Sequence, residues 1–171
     1  EIDDNSKVPT LKKELETLKG AEIKVGVFGS GEGKLLLKAR VNEFGCDIEV
    51  TEKMRNYLHA KGLHLKQETD EINIPERSFI RSSFDEHRKK IEKEIENSFQ
   101  KVLAGQMTAM GMLNRLGLKF EKWVKLKITR KNRPPNHPFT VQQKTTSAGV
   151  GDSPLVDTGQ LRNSITYKIE A

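Results

Sequence analysis

The stretch SFIRSSFDEHRKKIEKEIENSFQKVL, residues 78–103, decides how this chain folds. Its apolar residues Phe84, Ile91, Ile95, Phe99 and Val102 follow one another at steps of seven, four, four and three. That spacing marks one stripe of a helix. Unbroken from about Ser78 to Leu103, such a helix spans about 40 Å at ~1.5 Å per residue. A second helical pattern follows through Met110, Leu113, Leu116, Phe120 and Val124. Gly105, Gly111 and Gly117 weaken the two patterns, and the break is expected near Gly105.

Upstream of this pair the chain alternates between short strands and short helices. Thr10 is placed to cap a helix through Lys19, with Leu11, Leu15 and Leu18 on one face and Gly20 as its stop. Ile23, Val25 and Val27 alternate with other residues over positions 23–28 and predict a strand. Leu35 to Phe44 reads as a helix ending at Gly45, Ile48-Glu49-Val50 as a short strand, and Thr51 as the opening of a helix through Ala60. Glu71-Ile72-Asn73-Ile74 alternates again and stops at Pro75, which cannot donate to a sheet.

Downstream, periodicity vanishes from Thr129 to Ser153, where Pro134-Pro135, Pro138, Gly149 and Gly151 punctuate a polar segment. The expectation is a long mobile loop over 129–157, since a loop of that length is functional or disordered when isolated. Ile165, Tyr167 and Ile169 alternate in a last strand. The fold class expected is α+β: a single domain over 1–171, with a helical segment at 1–20. Two long helices pack a small, mostly antiparallel sheet.

Hydrophobic residues make up 35% of the chain and charged residues 32%, so the core is economical and suits an oligomer subunit. The net charge of +6 is compatible with nucleic acid or an acidic partner. Cys46 is the single cysteine, which excludes an intrachain disulfide and a cysteine metal site within one chain. No apolar run approaches the ~20 residues of a membrane span. Glu1-Ile2-Asp3-Asp4 differs from the basic start of a secretory signal, so a cytosolic location is expected.

Several motifs invite chemistry. Leu155-Val156-Asp157-Thr158-Gly159 has the form of an aspartic-protease turn. That chemistry needs two carboxylates sharing a proton and a substantial sheet after the turn, whereas 12 residues follow Gly159 here. The expectation is therefore a turn organised by Asp157 or Thr158, with Gly159 permitting a tight backbone path. Gly29 to Leu35 lies where a phosphate loop would lie, yet it has three residues between Gly29 and Gly33 and Leu35 in place of the hydroxyl. His59, His64, His87 and His137 show no metal-ligand spacing. No cofactor and no catalytic or metal residue is assigned.

The basic segment is richer. Lys119, Lys122, Lys125, Lys127, Arg130, Lys131 and Arg133 crowd into fifteen residues around Phe120 and Trp123, with Glu121 as the one acid. It reads either as a solvated helix face or as a phosphate-facing surface binding without sequence preference. The run Arg88 to Glu96 reads as a helix exterior with Arg88–Glu92 and Lys90–Glu94 pairs.

Four motifs in order carry a family resemblance. They are Val25-Gly26-Val27-Phe28 with Val41-Asn42-Glu43-Phe44-Gly45; Ile74-Pro75-Glu76-Arg77-Ser78-Phe79-Ile80-Arg81; Pro134-Pro135-Asn136 with Thr140 and Lys144; and Pro154 through Ile165. Together, over roughly residues 20–170, they resemble the virion-morphogenesis and tail-completion proteins of tailed bacteriophages. The resemblance implies an α+β subunit of a homo-oligomeric ring, hexameric in the virion, with a non-enzymatic role in tail completion or head–tail joining. Its implied partners are head-completion and tail-tube or tail-terminator proteins, and its implied locations the host cytoplasm during assembly and the virion. Arg77, Arg81 and Arg162 are interface candidates with Asp157 as an acceptor, because planar guanidinium forks suit subunit contacts; the other reading sets Arg77 and Arg81, four apart, on an exposed helix face. Phe79 and Leu161 are expected core anchors. In a ring threaded by DNA, Lys119, Lys122, Lys125, Arg130, Lys131 and Arg133 would face the passage. A basic nucleic-acid-binding module is the alternative, and a hydrolase using Asp157 a third reading.

Overall fold

A computed structural model describes residues 8–28, 33–130, 133–144, 153–156 and 158–170. It is an α+β fold in which two long helices pack on a small antiparallel ribbon. The ribbon joins distant parts of the chain: β1 (Glu22–Val27) pairs with β4 (Ile165–Glu170), from Glu22 opposite Glu170 to Val27 opposite Ile165. A second two-stranded ladder joins β2 (Cys46–Glu49) to β3 (Glu71–Ile74). The strands thus form two separate pairs rather than one sheet.

The expected helix pair is present as α4 (Arg81–Leu103) and α5 (Ala109–Arg130), packed on each other with the turn at Gly105 between them. α5 is the central element, since it also lies on β1 and β4 and receives α1 (Val8–Leu18). α2 (Gly33–Phe44) precedes β2, and α3 (Glu52–Ala60) lies between β2 and β3. Thr51 caps α3 as expected, its hydroxyl accepting from the Met54 amide at 3.2 Å. Gly45 ends α2 at φ 71, and a Cβ there would lie 2.9 Å from both the Glu76 nitrogen and the Ile74 oxygen. Only glycine meets both demands.

Two apolar clusters hold the molecule. One gathers Leu35 and Ala39 of α2, Phe79, Val124 and Ile128 of α5, Leu155, Leu161 and Ile165. Phe79 and Leu161 are thus core residues, as expected. The other joins Val102, Met112 and Leu116, flanked by Leu18, Ile23, Phe99 and Phe120.

Several sequence expectations need correction. α4 begins at Arg81, not Ser78, because residues 78–80 run across the core before the helix starts. Of its apolar stripe, Ile91 and Val102 are buried but Phe84 and Ile95 are exposed, while Ser83 and Ser98 are buried instead. Small residues let α5 approach closely there, so the contact line runs beside the apolar stripe. Met110 is likewise exposed. β2 starts two residues earlier than expected. The segment 129–157 is not a plain loop: α5 continues to Arg130, and α6 (Pro138–Gln143) follows, its start capped by the His137 side chain. Between Gly159 and β4 the chain makes a short helix, α7 (Gln160–Ser164), rather than a bare turn.

Candidate functional site

The residues that carry the sequence motifs meet inside the protein. Glu43, on the buried stripe Leu35–Ala39–Glu43 of α2, points its carboxylate at the start of α4. Oε1 accepts from the Ser78 hydroxyl at 2.8 Å and the Arg81 amide at 2.9 Å; Oε2 accepts from the amides of Phe79 at 2.7 Å and Ile80 at 2.9 Å. Ile80, at the N-cap position, has no side chain that can cap the helix. A carboxylate from another element therefore satisfies the orphan amides and sits at the positive end of the helix dipole. Burial alone would raise the Glu43 pKa, but the amides of Arg81, Ile80 and Phe79 and the Ser78 hydroxyl outweigh it and hold the group below its ordinary range.

The two motif arginines are engaged within the chain. Arg77 is buried and precedes α4; its Nε donates to the Pro134 carbonyl at 2.9 Å and a terminal nitrogen to that of Pro135 at 3.0 Å. Arg81, half-exposed, pairs with Glu43 and with Glu76 at 2.8 Å, donates to the Glu43 carbonyl and lies over the Phe44 ring. Neither presents a free fork. Lys144 makes a comparable tie, donating to the carbonyls of Ser153 at 2.6 Å and Val156 at 2.9 Å.

The basic segment is partly neutralised by acids from α4 and by Glu121 of α5 itself. Lys119 pairs with Glu94, which also meets Arg115 at 3.6 Å; Lys127 pairs with Glu86 and Lys125 with Glu121. Glu94 thus faces α5 instead of Lys90, whereas the expected Arg88–Glu92 pair forms. Lysine hydrogen bonds lower the pKa of both Glu86 and Glu94. Trp123 stacks on His87 at 4.5 Å and Phe120 stands edge-on to Trp123, so these aromatics serve packing.

Four of the basic candidates remain open. Lys122, Arg130, Arg133 and Arg162 are exposed, with no ion pair among the described residues. Lys122, Lys125 and Arg162 share a groove of about 550 Å³ between α5 and α7, with Leu118 and Leu126 at its apolar positions and Glu121, the partner of Lys125, also in its lining. Two of the basic-surface candidates, Lys122 and Lys125, and the interface candidate Arg162 are thereby brought to one place. Asp157 and Lys131 lie outside the described residues. Thr158 and Gly159 lead into α7, with Gly159 at φ 78 in the left-handed region. Among the described residues no cluster of His, Cys, Asp or Glu could hold a metal, and no helix is long and apolar enough to cross a membrane.

Sequence reasoning missed Glu43. The signal was present, since an acid at the third position of a Leu35–Ala39–Glu43 stripe must face the interior and needs donors there. Comparison with family models, curated proteins and solved structures yields no match to this chain.

Proposed function

We propose that this chain is a non-enzymatic structural protein of a tailed-phage virion, acting in tail completion or head–tail joining as a subunit of a ring. One observation supports the reading above others. The motifs that carry the resemblance lie far apart in sequence, yet they interlock: Glu43 holds 78–81, Arg77 holds Pro134 and Pro135, Lys144 holds 153–156, and Val27 pairs with Ile165. A set of motifs that met by chance would have no reason to form one framework.

The surface also suits a subunit. Leu36, Leu37 and Phe44 of α2 and Leu118 of α5 are each half or more exposed, apolar side chains that a neighbouring subunit would cover. The partners in this reading are other copies of the chain, head-completion proteins and tail-tube or terminator proteins. Electron microscopy of particles made without the protein tests it. Full heads beside unattached tails, or tails of wrong length, are expected; normal infectious particles would overturn the reading.

The basic module is the second reading, favoured by the exposed Lys122, Arg130 and Arg133, which pair with no acid among the described residues. A chain that stays monomeric yet binds duplex DNA tightly at physiological salt would favour it over the ring.

A further inference from the structure

Residues 46–74 form an arm. β2 and β3 pair with each other, α3 buries none of its residues, and no position from 46 to 76 is buried. The arm is stiffened locally: besides the Thr51 cap, Arg55 donates to the carbonyls of Lys66 at 2.6 Å and Thr69 at 2.7 Å. Its elements pack substantially on nothing outside the arm, α5 and α7 included. Pairing sorts its two faces. Cys46 opposite Ile74 and Ile48 opposite Ile72 form a half-buried apolar face, while Asp47 opposite Asn73 and Glu49 opposite Glu71 form an exposed acidic one. Glu49 and Glu71 are like charges directly across a ladder, which opposes strand pairing. No cation among the described residues pairs with either.

The α5–α7 groove has the complementary character: Lys122, Lys125 and Arg162 surround Leu118 and Leu126, and the acid that shares the lining, Glu121, is taken up by Lys125, which leaves Lys122 and Arg162 for a partner. We infer that the arm of one copy docks in the α5–α7 groove of the next copy, with Asp47, Glu49 and Glu71 facing Lys122 and Arg162. The occupant is a second copy because this chain itself carries the matching charge on a rigid projection that its own groove does not receive. Leu118 and Leu126 are the apolar area a docked arm covers. Donor and acceptor patches differ, so the contact is head-to-tail. Such a contact repeats until it closes into a ring, or runs on as a filament if the rotation does not close. The inference rests on the ring reading and names its contact.

Two charge-reversed proteins test it by native mass measurement of the full chain. Lys122→Glu with Arg162→Glu reverses the groove; Glu49→Lys with Glu71→Lys reverses the arm. All four side chains are exposed, so circular dichroism and melting should match the parent. Each double variant alone should lose association at least tenfold. An equimolar mixture should recover it, because each variant then meets an opposite partner, and the mixed assemblies should contain even numbers of subunits. Parent rings unaffected by either reversal would overturn the arm-in-groove contact while leaving the ring reading intact. Variants that dissociate but fail to recover on mixing would overturn it too. A parent that remains monomeric with its tail partners present would overturn both.

Discussion

Replacing Glu43 should detach the start of α4 from the core. The carboxylate accepts four hydrogen bonds of 2.7–2.9 Å, three of them from backbone amides that have no other acceptor in a helix's first turn. Bonds to a charged acceptor contribute about 1.5–3 kcal/mol each, but they share a single desolvation cost. The expected loss for Glu43→Ala is therefore about 3–5 kcal/mol, the range for breaking a buried charged network from one side. For a chain of this size that corresponds to a drop of roughly 6–20 °C in melting temperature. Glu43→Gln is the sharper probe, since its volume is unchanged. Its amide nitrogen must face one donor pair. Turned towards Ser78 and Arg81, it leaves one backbone amide without its acceptor; turned towards Phe79 and Ile80, it leaves two. The better orientation still costs about 1.5–3 kcal/mol. Urea unfolding followed by the fluorescence of Trp123 measures both, with an unchanged m-value expected. A Glu43→Gln protein within about 0.5 kcal/mol of the parent would refute the account of how α4 is held.

The remaining predictions concern pH, packing, surface charge and DNA. Because the folded pKa of Glu43 lies below its ordinary 4.5, the stability it provides is fully present above that value and is lost as pH falls through the folded pKa; Glu43→Gln should flatten the parent's acid limb in that window. A Cβ at Gly117 would lie 2.3 Å from the Tyr167 ring, so Gly117→Ala should destabilise by about 1–3 kcal/mol despite its better helix propensity, as urea midpoints would show. Glu94→Gln frees Lys119 and Arg115 but should cost no more than about 1 kcal/mol in low salt and less in 1 M salt, because the pairs are partly exposed. If the assembled protein binds duplex DNA, Lys122→Ala with Arg130→Ala should reduce the salt slope of binding by up to about two, and Lys119→Ala, already paired with Glu94, by less.

Much of the fold was legible because its signals are local. Helix ends at Gly45 and Gly105, the Thr51 cap and the alternation of β1, β3 and β4 all depend on neighbours within a few residues. Most of what escaped depends on residues distant in sequence. The α4 stripe was misjudged because polarity does not mark Ser83 and Ser98 as contact positions, although their small size is what α5 requires. The basic segment looked more charged than it is because its counter-ions, Glu86 and Glu94, lie on the preceding helix. α6 was missed because Pro138 at a first helical turn resembles loop punctuation until the His137 cap is seen beside it.

The same distinction relocates the functional surface. Arg77 and Arg81 look like interface residues in sequence, being charged, regularly spaced and next to a helix. Arg77 instead bonds to two carbonyls on the far side of the fold and Arg81 to Glu43 and Glu76, so substituting them would first unfold the junction. A loss of assembly in such variants would therefore say little about subunit contacts. The motif encodes how the chain closes on itself. If the chain assembles as proposed, contact with neighbours would fall to surfaces away from this junction, chiefly the coreless arm at 46–74 and the groove at Arg162, where charge can change without disturbing the fold. A mutational search for the assembly contact should begin at Lys122, Arg162, Glu49 and Glu71.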